Sequence, residues 1–195
     1  MTATKNQANE SFVRWFQSIA GVRVDGWAGA ETMRAAERLL TKQKNQTVSQ
    51  AAIDLIHSFE SFRSNAYKDP GSKNGLPITI GWGSTSDLQG KPIKLGNVWT
   101  REQADAKFKQ DIDKFSAGVI VEAGPSTQGQ IDAMVSFAYN VGIGAFRSST
   151  LLKKHKAGDY KGAAAEFGKW VFNDGKRMNG LVRRREAERK LYESD

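Results

Sequence analysis

The chain has 195 residues, 39% of them apolar, with 15 Phe and Trp rings, no cysteine, two histidines and a formal charge of +8. That apolar content is enough for one medium domain, or a medium domain beside a small one, and it argues against wholesale disorder. The missing cysteines exclude disulfides, thiol nucleophiles and thiolate metal sites, and no run of 18 apolar residues offers a transmembrane helix.

Residues 9–42 read as a small helical unit. Phe12, Val13, Trp15, Phe16 and Ile19 recur at helical spacing and Gly21 closes the stretch. Asp25-Gly26 and Gly29 mark turns, and a second helix from Glu31 presents Met33, Ala36, Leu39 and Leu40 as its inner face. The polar segment KQKNQTV, residues 42–48, is the expected linker. It divides the chain into residues 1–44 and 45–195.

Ser49 is the expected N-cap of a helix reaching about Arg63, with Ala52, Ile53, Ile56 and Phe59 on one face. Tyr67-Lys68-Asp69 and Ile78-Thr79-Ile80 read as short strands between turn signals, and Ile93 to Leu95 as a third. Thr100 with Gln103 forms a capping-box signature for a helix to about Glu122, broken by Gly124-Pro125. Ser126 or Thr127 caps the next helix, which buries Ile131, Met134, Val135 and Ala138. Further helices are expected at 149–157, 159–172 and about 180–192. The fold class is therefore α+β, mostly helical, with a small antiparallel sheet.

Two histidines, His57 and His155, are too few for an ordinary zinc hydrolase, so no metal or cofactor is expected and carboxylates carry any chemistry. Glu60 stands near a helix end, with Asp69 in the following turn and Thr79 in the strand ITIGWG. Glycoside hydrolysis needs one protonated carboxyl for the leaving oxygen and one ionised carboxyl on the other side of the bond. Phe59 and Phe62 flank Glu60 and favour the acid role by partial desolvation, while the wetter turn at Asp69 favours the ionised role. Taken alone, the spacing fits equally a solvated helix face and a turn former. The basic charge suits nucleic acid, an anionic membrane or a bacterial wall. Base-reading or stacking motifs for nucleic acid are absent from the pattern. Likewise His57 and Glu60, spaced as H-x-x-E, lack the second such pair that a di-metal bundle needs.

The stretch HSFESFRSNAYKDP followed by ITIGWGS resembles the phage-type lysozymes, glycoside hydrolase family 24. The resemblance continues through QIDAMVSFAYNVGIGAFRSSTLL and GLVRRREAERKLY, covering about residues 49–195, with a longer hairpin between Asp69 and Thr79 than the family usually has. It implies a lysozyme-like fold and cleavage of the β-1,4 bond between N-acetylmuramic acid and N-acetylglucosamine in peptidoglycan. Glu60 would be the general acid, and Asp69 with Thr79 would position water or support the oxocarbenium-like state. An arginine of the C-terminal helix pairs with the acid in relatives; Arg183 is the expected one among Arg183, Arg184 and Arg185. Asn140, in YNVG, is a candidate substrate contact or a helix C-cap. A lytic transglycosylase, or a non-catalytic wall-binding protein on the same scaffold, are the alternatives.

The N-terminal stretch VRWFQSIAGVRVDGWAGAETMRAA resembles the small helical peptidoglycan-binding domain, with Asp25, Gly26, Gly29 and Thr32 in its D-G-x-x-G-xx-T pattern. Trp27 would stack on sugar or peptide, or else anchor the unit. Together with the polar N-terminus, the resemblance implies a monomer made in the host cytoplasm that reaches the wall with a holin's help. No stable membrane insertion is expected, beyond weak contact of the basic C-terminal helix with an anionic outer membrane.

Overall fold

A computed structural model describes residues 7–44, 46–68 and 74–194. The chain forms two compact units, Met1–Gln46 and Thr47–Asp195.

In the first unit, α1 (Gln7–Ala20) and α2 (Ala30–Lys44) form a helical hairpin. The helix α2 continues through Lys44, into the stretch expected as linker, because Lys and Gln are good helix formers. The interior of this hairpin is polar at its centre. Gln17 is buried, and its side-chain amide donates to Asp25 Oδ1 at 2.8 Å, to the Trp27 carbonyl at 2.9 Å and to Thr32 Oγ1 at 2.9 Å. Its carbonyl accepts from the backbone N–H groups of Asp25 and Gly26. One glutamine therefore satisfies the loop that carries Asp25, Gly26 and Thr32. Two expectations fail here. Phe12 and Trp15 lie on the outer side of α1, their rings 5.6 Å apart, and Met33 is exposed on α2; among the described side chains of the two helices, Gln17, Thr32 and Ala35 are the buried ones. The side chains of Ile19, Leu39 and Leu40 lie outside the described detail.

The second unit opens with α3 (Gln50–Phe59). Ser49 occupies its N-cap position but spends its side chain elsewhere. Its hydroxyl donates to Asp132 Oδ2 at 2.5 Å and its N–H to Asp132 Oδ1 at 2.9 Å, fastening the helix start to a later helix. The helix stops short of Arg63, because Glu60 adopts extended backbone (φ −99°, ψ 125°). The chain then runs directly into β1 (Arg63–Lys68), antiparallel to β2 (Ile78–Gly81), with Tyr67 opposite Thr79 and Lys68 opposite Ile78. Ile93–Leu95 is not a strand; single bridges at Asn65–Val98 and Ser86–Pro92 serve instead.

The helical part contains α4 (Arg101–Ala123), α5 (Gln128–Val141), α6 (Ile143–Ser148), α7 (Thr150–Lys156), α8 (Tyr160–Glu166) and α9 (Asn179–Tyr192). Capping boxes start α4 at Thr100/Gln103 and α5 at Thr127/Gln130. Every residue of α5 from Gly129 to Ala138 is buried, so this helix is the axis of the unit, packed by α3, α4 and α9. Ile56, Ile112, Ile131, Met134, Phe137, Phe146 and Phe167 form the centre of the core. Each such side chain contributes about 2–3 kcal/mol by leaving water.

The helix expected over 159–172 breaks up after Glu166. A single 3-10 turn, Phe167–Lys169, leads to a hairpin of β3 (Phe172–Asn173) and β4 (Lys176–Arg177). Asp174 (φ 48°) and Gly175 (φ 75°) both take left-handed backbone, as a tight two-residue hairpin turn requires.

Candidate active site around Glu60

Glu60 is the residue where α3 gives way to extended chain. Its carboxyl is three-quarters covered and accepts from Arg184 Nη1 at 2.6 Å. Arg184 comes from α9, so the residue expected to face Glu60, Arg183, is corrected by one position: Arg183 is exposed, whereas Arg184 is buried. One step on a helix rotates a side chain by about 100°. Of three consecutive arginines, the packing of α9 against α3 and α5 selects the one that reaches Glu60.

Arg184 does not serve Glu60 alone. Its Nε donates to Glu188 Oε1 at 3.1 Å and its Nη2 to the Ser136 carbonyl at 3.3 Å. Glu188 is fully buried, accepts from Ser136 Oγ at 2.8 Å and pairs with Arg185 at 3.1 Å. Burial pushes the Glu188 carboxyl up, and the Arg185 and Arg184 charges oppose that rise. Arg185 lies over the Phe137 ring, donates to Asn140 Oδ1 at 2.6 Å, and is drawn down to about 10 by burial. A continuous network thus runs from Glu60 through Arg184, Glu188 and Arg185 to Asn140. Asn140 is exposed in the last turn of α5; the C-cap is Gly142, so capping is not its role.

The turn after β2 closes the other side of Glu60. Gly83 (φ 100°) lies so close that a side-chain carbon there would stand 3.6 Å from Glu60 Oε2. The Tyr139 hydroxyl fixes this turn by donating to the Trp82 carbonyl at 2.9 Å. Burial, then the charges of Glu60 and Asp111, raise the Tyr139 phenol, so it stays a donor at any working pH. Trp82 is held by Asp105, which accepts from its Nε1 at 2.6 Å, and by His57, whose ring stacks 4.2 Å away. Arg101 lies over the outer face of this cluster, 4.7 Å from Trp82 and 5.2 Å from Phe62. Desolvation lowers His57, which keeps it neutral between Trp82 and Phe108. No cluster of three or more possible metal ligands exists among the described residues.

Thr79 is buried on β2, and its hydroxyl donates to the Pro77 carbonyl at 3.3 Å. It lies on the strand that leads directly into the Gly81-Trp82-Gly83 turn beside Glu60. Asp69 lies outside the described residues. Trp27 belongs to the first unit, where its ring covers Gly29 and remains 60% exposed. Glu188, Ser136 and Tyr139 were not singled out from sequence. The i, i+4 spacing of Arg184 and Glu188 is a legible helix pair, but nothing local says that it faces Glu60.

Residues 57–188 match the family model described as phage lysozyme. An endolysin of Bacillus phage B103 is 44% identical over 74% of this chain, which spans 53% of that relative. An endolysin of Acyrthosiphon pisum secondary endosymbiont phage 1 is 40% identical over 75% of this chain and 98% of its own length. Among solved structures, the endolysin from Escherichia coli O157:H7 phage FAHEc1 superposes with a TM-score of 0.66 at 37% identity, covering 77% of this chain and 96% of that one. The matched segment contains Glu60, Thr79, Asn140, Arg184 and Glu188 within one lysozyme-like α+β unit, and the chain belongs to the phage lysozyme family, glycoside hydrolases of peptidoglycan.

Proposed function

We propose that this chain is an endolysin whose second unit hydrolyses the β-1,4 bond between N-acetylmuramic acid and N-acetylglucosamine, with Glu60 as general acid. The observation that carries this reading is the position of Glu60. It sits at a helix end with one face on Arg184 and the other against the Gly83 turn, beside the strand that bears Thr79. A carboxyl that gives up its proton gains negative charge in the transition state. Arg184, already in place at 2.6 Å, meets that charge without reorganisation. Asp69 and Thr79 take the water-handling half of the reaction, in which a hydroxyl and a carboxylate orient the attacking water or support the oxocarbenium-like sugar. Asn140 contributes a polar contact to the glycan, oriented by Arg185.

The first unit acts as a wall-binding module that raises the local concentration of the enzyme on an insoluble substrate. Trp27 is its contact, displayed by a loop that Gln17 holds rigid. A net charge of +8 favours an anionic wall. No helix among the described residues is long and apolar enough to cross a membrane, and we place the protein at the cell wall, as a monomer released from the host cytoplasm with a holin's help.

The test is digestion of purified peptidoglycan by wild type and Glu60→Gln, followed by mass spectrometry of the products. New reducing muramic ends are expected from the wild type, with at least a hundredfold loss in the variant. Undiminished digestion by Glu60→Gln would remove Glu60 from the acid role, and 1,6-anhydromuramic products would reassign the reaction to a transglycosylase.

A further inference from the structure

The helix α9 has a second face that the Glu60 network does not use. Val182, Glu186 and Arg189 stand about 140–160° round the helix from Arg184, so they point away from Glu60. Together with the 3-10 turn and the β3–β4 hairpin they line a cavity of about 220 Å³. Val171 and Val182 give it an apolar wall, and Gly168 adds a stretch of wall without a side chain. Its charges are of both signs. Arg177 of β4 and Arg189 bring two exposed guanidiniums, and Glu186 brings an exposed carboxylate. Arg189 also pairs with Glu193 at 3.2 Å, whereas the side chains of Arg177 and Glu186 make no ion pair or hydrogen bond among the described residues. Arg185 lines the cavity too. Its side chain is 1% exposed, and its Nη1 is buried without an acceptor among the described residues.

We propose that this cavity binds the free end of a peptidoglycan peptide stem, as a wall-holding site on the second unit that is separate from Glu60. The choice of ligand rests on peptidoglycan being the substrate of that unit. A ligand here must answer two guanidiniums, a carboxylate and an apolar wall at once. Phosphate or another polyanion suits the arginines but is repelled by Glu186. A purely apolar ligand strips water from the charges and returns nothing. A stem end carries all three complements. Its terminal carboxylate meets Arg177 and Arg189 in charge-assisted hydrogen bonds, with the buried, unsatisfied Arg185 adding to the positive field. An alanine methyl packs on Val171 and Val182, and the ammonium of the diamino acid pairs with Glu186. The volume lies below the roughly 300–1,000 Å³ of a small-molecule site, which suits a peptide end rather than a run of sugars.

The experiment is an NMR titration of the full chain with a synthetic, glycan-free stem peptide that has a free C-terminal carboxylate and a free side-chain ammonium. Backbone amide signals of Gly168, Arg177 and Glu186 are expected to shift together. Arg177→Gln should weaken binding about tenfold by removing a charged hydrogen-bond partner. Acetylating the peptide ammonium should weaken binding to the wild type but not to Glu186→Gln. Gly168→Leu should abolish binding by filling the cavity; the backbone there is not left-handed and a side chain meets nothing within 4 Å, so this variant is expected to fold. Absence of shifts, shifts confined to other residues, or undiminished binding by Arg177→Gln overturns the proposal. So does inorganic phosphate that displaces the peptide at equal concentration, since it would make this a site for any anion. Hydrolysis is no part of the readout. An active Glu60→Gln would sink the general-acid reading and leave this result standing, which keeps the two failures distinct.

Discussion

Tyr139 couples the two sides of the candidate site through one hydroxyl. Its ring packs edge-on against Phe108 and Phe115 while its OH reaches the Trp82 carbonyl. The ring supplies packing and the hydroxyl supplies register for the Gly83 turn beside Glu60. Tyr139→Phe keeps the first and removes the second. The variant is expected to fold, to lose about 1 kcal/mol of stability from the unpaired carbonyl, and to lose kcat several-fold with KM nearly unchanged. Steady-state kinetics on soluble peptidoglycan fragments would read this, and an unchanged kcat would show that the turn holds its place without the phenol. Nothing in the local sequence marks Tyr139 out. An aromatic residue on a buried helix reads as core, and only the approach of the β2 turn gives its hydroxyl a partner.

At the scale of elements, α7 and α9 are joined by a buried histidine. His155 bonds the Tyr192 hydroxyl through Nδ1 at 2.6 Å and Ser126 Oγ through Nε2 at 2.9 Å, linking α7 to the end of α9 and the start of α5. Burial draws its pKa down to about 4, from an ordinary value near 6.5. The neutral ring is the folded form, so below pH 6.5 the unfolded chain takes up the proton that the folded chain refuses. The contribution is fully present above pH 6.5 and is lost as pH falls toward 4, by no more than about 3 kcal/mol. Thermal melts between pH 7 and 4.5 should show the loss for wild type and a shallower slope for His155→Gln. Parallel slopes would mean that other groups govern acid unfolding. The hairpin β3–β4 belongs to this scale too. Its turn residues Asp174 and Gly175 take left-handed backbone, directly after the span 159–172 that was expected as one helix. The 3-10 turn at Phe167–Lys169 ends it earlier, with Phe167 packed into the core.

For the whole molecule, the chain forms two compact units, and the proposed reading gives wall binding to the first and the chemistry to the second. In the first unit the turn pattern has a structural explanation, since Asp25, Gly26 and Thr32 all hydrogen-bond to the buried Gln17 side chain. Trp27 is the member of that loop left facing solvent. Trp27→Ala should therefore weaken sedimentation with intact sacculi by about tenfold or more, while kcat on soluble fragments stays at the wild-type value. Equal sedimentation would assign the wall contact to other residues, such as the exposed Phe12 and Trp15 of α1.

Some of this protein is determined by local chemistry and is legible without coordinates. The capping boxes at Thr100 and Thr127, the buried face of α5 and the small antiparallel sheet all follow from short-range hydrogen bonding and from the period of apolar residues. The Glu60 neighbourhood was also legible, through its motif and the scarcity of other catalytic side chains. What the tertiary structure alone decided is which side chains meet Glu60. Arg184 stands 124 positions away, and its selection over Arg183 depends on the rotation of α9 about its axis. That rotation is set by what α9 buries against α5, not by anything within RRREAER. The same packing brings Glu188 under Arg184 and Ser136 under Glu188. In the first unit, the fold of the hairpin itself turns Phe12 and Trp15 outward and a glutamine inward, since a loop with unpaired N–H groups needs Gln17 more than the core of so small a unit needs two aromatic rings.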